Sequence, residues 1–435
     1  MAKNRKKKKA PVVHRSAATA TKPSKSFLDA HLAMLRRILR ATGEDPAALD
    51  VFTKRQKQEF FRVVSMPPRV AAMRGYMVPR PFIRYVQDML IKYLKRKYFN
   101  EKEGITWMDM ATTGFSVFYA FNIVSFRPLF SEQQWEVVRR INRTFEKQNI
   151  YIKLFDEITS WIRTSLMMLS QPAFRIYGFE MSKSQQVGSI GFCQMIYIVT
   201  HESQSILFNY HNMERRAYRM AIGRCMNLPY KGATISIKKL YPNIEKDRML
   251  DIYIQSHAIF RFKERIDMID PVLRNQFFVF SLMFKQVVVT GSAGLPLISC
   301  IAPVEGVDDK PIGYFVPTVD NDNLLVLTIL PLLSQSVPEG RILYERLHLS
   351  TSDLKYLGMD KLSFFCDVDI AQIPALKRVL FDELHLEYIR VMYSRIKETD
   401  RDAPFDETKT LFVKNFFLKQ EEYMQLTSNE IPESL

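Results

Sequence analysis

The chain of 435 residues is 47% hydrophobic and 25% charged, a composition typical of a globular protein and not of a disordered one. Its 15 glycines are about half the usual share of roughly 7%, and it contains neither GxGxxG nor GxxxxGK followed by Ser or Thr. Walker-type and dinucleotide-type phosphate loops are therefore excluded. Lys and Arg number 62 against 46 Asp and Glu, so the net charge is +16. This excess favours a polyanionic partner, nucleic acid first and an anionic membrane surface second.

The cysteines predict neither a zinc site nor a disulfide framework. They stand far apart without a CxxC pair, at Cys193, Cys225, Cys300 and Cys366. No HExxH motif or paired histidine spacing occurs either, so we predict no metal and no cofactor. A reducing, cytoplasmic environment is expected.

Two long stretches carry no charge, from Met110 to Phe126 and from Ser184 to Thr200. Threonine and asparagine dilute the first, and glutamine dilutes the second, so both are predicted to be buried core elements and not membrane spans. No apolar segment follows the lysine-rich N-terminus, and we therefore expect no secretory signal peptide. Membrane insertion is not expected.

Residues 1–26 hold nine basic side chains and no acidic one. They lack apolar periodicity, so we predict a disordered basic arm whose Lys6, Lys7, Lys8 and Lys9 bind nucleic acid. The alternative is a charge run with no specific partner.

Residues 27–231 are predicted to form a mainly helical domain. Helical spacing and capping boxes predict successive helices near 28–42, 46–52, 53–66, 81–97, 107–124, 132–147 and 150–171. Pro67 and Pro68 are expected to end the third of these. A strand is predicted at Phe174–Phe179, and a further helix at Ser205–Gly223.

Residues 232–350 are predicted to form a small α+β domain with an antiparallel sheet. Its strands are expected at 233–240, 287–290, 296–302, 312–316 and 324–330, with helix over 256–285. Residues 351–435 hold 11 basic and 16 acidic side chains and are predicted to be helical, chiefly at 374–397, with a frayed end. The predicted class is a helix-rich α+β fold: an N-terminal helical bundle, a small antiparallel sheet and C-terminal helices.

The helix predicted near 256–266 combines an apolar face with a cationic one. At about 100° per residue, the side chains on the cationic face are His257, Arg261, Glu264 and Arg265. One guanidinium group can bind two phosphate oxygens at once, and a histidine with a pKa near neutrality can transfer a proton. Glu264 could orient an arginine or act as a base. The alternative is a solvated ladder of charges without a ligand.

These residues resemble the His-Ala-x-x-Arg-x-x-Glu-Arg helix of small domains in the RelE, BrnT and barnase-like toxin ribonuclease superfamily. The resemblance covers residues 250–330 and implies a helix packed on a curved sheet, with metal-independent cleavage of RNA through the 2′-hydroxyl. It implies that His257 transfers the proton, that Arg261 and Arg265 clamp the phosphate, and that Tyr314 and Thr328 line the sheet surface.

The leading hypothesis is therefore a nucleic-acid-associated protein of bacterial or phage mobile-element origin, with RNA favoured over DNA as its partner. On this hypothesis its α+β domain is ribonuclease-like, and whether it acts as an endoribonuclease is left open. The alternative is a non-catalytic scaffold or assembly protein of a phage or mobile element. Such a protein would use the helical domain to contact a protein partner and the basic arm to attract nucleic acid.

Overall fold

A computed structural model describes residues 25–60, 63–122, 128–182, 185–187, 191–266, 274–302, 310–356, 361–366 and 384–402. Within these ranges helices and mixed sheets alternate, and the predicted helix-rich α+β class is confirmed. The predicted basic arm with Lys6 to Lys9 lies outside the described residues, apart from the start of the first helix, and so does the predicted frayed end after residue 402.

The N-terminal part is built mainly from the predicted helices. They are α1 (Lys25–Ala41), a 3₁₀ helix (Pro46–Val51), α2 (Lys54–Phe60), α3 (Arg80–Arg96), α4 (Trp107–Asp109), a π-helical turn (Met110–Gly114), α5 (Phe115–Asn122), α6 (Glu132–Lys147) and α7 (Ile150–Leu169). The predicted capping boxes of α4 and α6 are present, with the Thr106 and Ser131 side chains each accepting the third backbone N–H of the helix. Their apolar faces form one shared core.

A sheet within this part corrects the predicted helical bundle, in which the expected strand was Phe174–Phe179. Strand β1 (Val64–Ala72) pairs in parallel with β6 (Gly191–Glu202), whose other edge pairs with β4 (Arg175–Met181) and β5 (Gln185–Val187). Pro67 and Pro68 were expected to end a helix, but they lie in β1, where the register shifts between Met66 and Arg69. Proline is tolerated at such an irregularity because it has no N–H to donate to the ladder.

The Gln87 side chain of α3 hydrogen-bonds to the backbone of β1 at this irregularity. Its amide nitrogen donates to the carbonyl of Pro68 at 2.9 Å, and its oxygen accepts the N–H of Val70 at 2.7 Å. A separate two-stranded ribbon, β2 (Tyr98–Asn100) with β3 (Ile105–Thr106), lies against α1 and α3. The uncharged stretch from Ser184 to Thr200, which was predicted to be a buried core element, contributes β5 and most of β6 to the sheet.

The second part is organised around an eight-stranded sheet. Its strands are β7 (Ser205–Tyr210), β8 (Met213–Arg219), β11 (Thr234–Ser236), β12 (Met249–Gln255), β13 (Val288–Thr290), β14 (Pro296–Ile301), β15 (Pro311–Asp320) and β16 (Asn323–Pro331). Their order in the sheet is β13-β14-β15-β16-β12-β8-β7, and β11 pairs with β12. A separate pair, β9 (Ala221–Ile222) with β10 (Lys231–Gly232), lies between β8 and β11. The sheet is mixed and not purely antiparallel, because β12 and β16 are parallel neighbours.

The helix predicted at Ser205–Gly223 is wrong: these residues form the β7–β8 hairpin and β9. His211 and Asn212 form its two-residue loop with φ of 52° and 61°, the left-handed conformation that such tight loops need. Cross-strand pairing with β12 holds this hairpin in the second sheet, which therefore extends N-terminal to residue 232, where the α+β domain was expected to begin. The strand predicted at 233–240 is shorter, since α8 (Ile237–Leu240) follows β11 directly.

Helices pack against the second sheet and share its main core. They are α9 (Ser256–Arg265), α10 (Arg274–Val279) with a π-helical continuation (Phe280–Lys285), α11 (Pro338–Leu347), α12 (Thr351–Tyr356) and α13 (Glu387–Asp402). The first ten residues of the helix predicted at 374–397 lie outside the described residues. The amide of Asn275 in α10 donates to the carbonyl of Met167 in α7 at 2.5 Å, which ties the second part to the first. No helix in the described ranges is long and apolar enough to cross a bilayer.

Candidate phosphate-binding site on helix α9

Helix α9 covers the edge of β16 at the point where β12 ends. The parallel pairing of the two strands runs to Ile254 and Val326, and the chain then turns into the helix at Ser256. The helix lies against the remaining part of β16 and buries one face in the main core, through Ala258, Ile259, Phe262 and Ile266. This is the apolar face predicted from the sequence. The cationic face is left on the outside.

The polar side chains of α9 contact one another and the sheet edge. Nε of Arg261 donates to Nε2 of His257 at 3.3 Å, and Nη1 of Arg261 lies 2.5 Å from Oε2 of Glu264. Nη1 of Arg265 donates to the carbonyl of Ile329 at 2.5 Å and lies 3.4 Å from Oγ1 of Thr328. Five of the residues predicted from the sequence are thus brought together at one place.

Tyr314 does not belong to this site, which corrects its predicted place on the sheet surface. It lies in the main core, where it is 2% exposed. Its hydroxyl donates to Oε1 of Glu339 at 2.7 Å, and burial raises the pKa of this phenol. Its polar atom is therefore engaged by α11 and is not presented to a ligand.

Two residues that the sequence did not single out complete the site. Gln255, the last residue of β12, is 4% exposed, and its amide orientation is assigned by its partners. The amide nitrogen then donates to the carbonyl of Leu327 at 3.1 Å, while the oxygen accepts from Nη1 of Arg215 at 3.0 Å. Arg215 of β8 also lies over the ring of Tyr210, 5.6 Å from its centroid. Arg215 reaches the site because β8 pairs with β12, and no local sequence pattern predicts this pairing of distant segments.

The electrostatics of the site favour a neutral imidazole among cations. Burial lowers the pKa of His257 below its ordinary value, and the charges of Arg261, Arg215 and Arg265 lower it further, while Glu264 opposes them. His257 is therefore neutral near pH 7, which fits its role as hydrogen-bond acceptor from Arg261. Burial also lowers the pKa of Arg265, but an arginine starts so high that it keeps its charge. Three guanidiniums face one carboxylate, a net charge of about +2.

This arrangement can bind a phosphodiester without a metal. The side chains of Arg261 and Glu264 are 42% and 57% exposed, so a ligand from solution can reach them. Guanidinium groups match phosphate oxygens in geometry and charge, and a neutral imidazole beside them can accept a proton. Within the described ranges no group of His, Cys, Asp or Glu is placed to hold a metal ion.

Comparison of the chain with protein-family models, with curated proteins and with solved structures finds no match.

Proposed function

We propose that the protein binds RNA through the α9 site, which consists of Arg215, His257, Arg261, Arg265 and Thr328. The convergence of three guanidiniums around a neutral, solvent-accessible imidazole is the observation that carries this proposal. The positive net charge of the chain supports it, because a positive field speeds the encounter with a polyanion. RNA is favoured over DNA by the resemblance of α9 to toxin-type ribonucleases.

Cleavage of the bound RNA is a second activity that the state of His257 favours. Arg261 occupies the lone pair of Nε2 in the free protein, and a bound phosphate would draw this guanidinium away. The neutral imidazole could then take the proton of a 2′-hydroxyl, whose oxygen attacks phosphorus while the 5′-oxygen leaves. The same proton can pass to the leaving oxygen. The products would be a 2′,3′-cyclic phosphate and a 5′-hydroxyl, with no metal needed.

Binding is tested by fluorescence anisotropy of a labelled single-stranded RNA with wild type, Arg215→Gln and Arg261→Gln. Each exposed charge-assisted contact is expected to contribute enough that its loss weakens binding about three- to tenfold. Arg341→Gln is the matched control, because Arg341 is a half-exposed arginine on α11 that also faces a glutamate. Equal affinities for all four proteins would contradict the proposal and favour the scaffold function.

Cleavage is tested by incubating the same RNA with the protein in EDTA and resolving the products on a gel. His257→Gln keeps a polar side chain and the three arginines of the site but cannot act as a base at neutral pH, so it should still bind RNA and leave it intact. Cleavage by both proteins would place the activity elsewhere. Intact RNA with both would reduce the function to binding alone.

A further inference from the structure

A cavity of about 630 Å³ lies between the two parts of the molecule. One wall is the second half of α7 with β4, and the other is the segment from β9 to β11 together with the π-helical continuation of α10. Its volume falls within the range of roughly 300 to 1,000 Å³ that is usual for small-molecule sites. None of the residues of the α9 site lines it.

The charges that line the cavity are all positive. Arg163, Arg224 and Lys231 line it, and no aspartate or glutamate does. Arg224 pairs with Glu180 just outside the lining, at 2.6 Å. In the part of the chain that the structure describes, Arg163 and Lys231 have no carboxylate partner. An anion that enters the cavity therefore meets two uncompensated cations.

The rest of the lining is largely apolar. Leu228 and Phe284 both line the cavity, and they are 61% and 59% exposed, so a ligand from solution can reach them. Met167 and Met283 line it more deeply, and methionine adapts its shape to different apolar ligands. The cavity thus offers apolar surface to a ligand in addition to positive charge.

The wall that carries Arg224 is fixed by close backbone packing. Phe179 donates its N–H to the carbonyl of Arg224 at 2.8 Å, and Met226 donates to the carbonyl of Phe179 at 2.9 Å. A Cβ at Gly178 would lie 2.2 Å from the carbonyl oxygen of Arg224, and one at Gly223 would lie 2.2 Å from that of Tyr177. Only glycine permits these contacts, so the cavity is a preformed feature of the fold.

We propose that this cavity binds a small organic anion that has an apolar body, of the size of a mononucleotide or a long-chain acyl carboxylate. The anionic group binds between Arg163 and Lys231, and the apolar body packs on Phe284 and Leu228. A mononucleotide and an acyl carboxylate both combine an anionic group with an apolar body. Binding of either one in the cavity is independent of RNA binding at α9.

The test is a fluorescence titration of the full chain with 8-anilinonaphthalene-1-sulfonate, an aromatic sulfonate that fluoresces in apolar sites. We expect saturable binding that weakens about tenfold in Arg163→Met and in Lys231→Met, since each change removes a charge-assisted contact. Lys238→Met is the matched control, because this exposed lysine of α8 lies outside the cavity lining. Thr164→Trp fills the cavity from α7 and should abolish binding while the circular dichroism spectrum stays unchanged.

Competition by adenosine monophosphate, palmitate and inorganic phosphate identifies the source. Displacement by the nucleotide or by palmitate supports the proposal and assigns the apolar body. Displacement by neither overturns it, and so does inorganic phosphate acting as well as the organic anions, because the apolar body would then contribute nothing. Binding of the dye that is equal in wild type, both charge variants and Thr164→Trp would also overturn it.

Discussion

Replacing Glu264 by glutamine tests the electrostatic effect of this carboxylate on RNA binding. Glu264 pairs with Arg261 at 2.5 Å, and both side chains are about half exposed, so solvent screens the pair. A phosphate on the far edge of the Arg261 guanidinium would lie about 6 Å from the carboxylate, a repulsion of about 0.7 kcal/mol at the dielectric constant of water. Glu264→Gln should therefore bind RNA about threefold more tightly at low salt.

The same change should leave stability nearly unaltered, because an exposed i, i+3 pair contributes less than about 0.5 kcal/mol. Anisotropy titrations at 20 mM and 300 mM salt measure the effect, which should shrink at high salt because the screening length falls. Glu345→Gln is the matched control, since Glu345 faces Arg341 on an exposed part of α11. Weaker RNA binding by Glu264→Gln, or the same gain in the control, would contradict an electrostatic repulsion between Glu264 and the bound phosphate.

Two further predictions concern stability. Burial lowers the pKa of both His257 and His201 below the ordinary value of about 6.5. The unfolded chain therefore binds more protons than the folded protein as the pH falls. The contribution of the two neutral histidines to stability is complete above about pH 6.5 and is lost as the pH falls through their folded-state pKa. Urea titrations at pH 7.5 and 5.5 should show a smaller acid loss in the double variant His201→Gln/His257→Gln than in wild type, and an equal loss would contradict this. Gly178→Ala should cost at least ~3 kcal/mol, because its Cβ would meet the carbonyl oxygen of Arg224, whereas Gly75→Ala, at φ +90° in open space, should cost only about 1 to 2 kcal/mol. Similar unfolding midpoints for the two variants would contradict this prediction, because they would show that the backbone around Gly178 shifts to accommodate a Cβ.

The sequence predicts the helices well wherever local signals decide them. The capping boxes that begin at Thr106 and Ser131 are satisfied in the structure, and the apolar spacing of α7 matches its buried face. The two faces of α9 also follow from spacing alone, because a helix places residues three and four apart on one side. These features need no knowledge of the rest of the chain.

The errors arise where distant pairing decides the structure. The segment Ser205–Arg219 carries arginines and aromatic residues that also fit a helix, and its loop, His211–Asn212, lacks the Asn-Gly or Asp-Gly pair that marks most tight hairpins. Its strand state comes from pairing with β12, more than thirty residues away. Arg215 was missed for the same reason. Tyr314 was misplaced because the face it occupies depends on which side of the sheet α11 covers.

The salt dependence of RNA binding shows whether the α9 site binds the phosphates of RNA. The slope of log K against log salt for a single-stranded RNA falls by about 0.7 for each phosphate contact that is lost. Arg215→Gln and Arg261→Gln should each flatten the slope by about this amount, and Arg341→Gln should not. Unchanged slopes in both site variants, with flattening only when residues 1–24 are deleted, would contradict phosphate binding at the α9 site and assign the phosphate contacts to the basic arm.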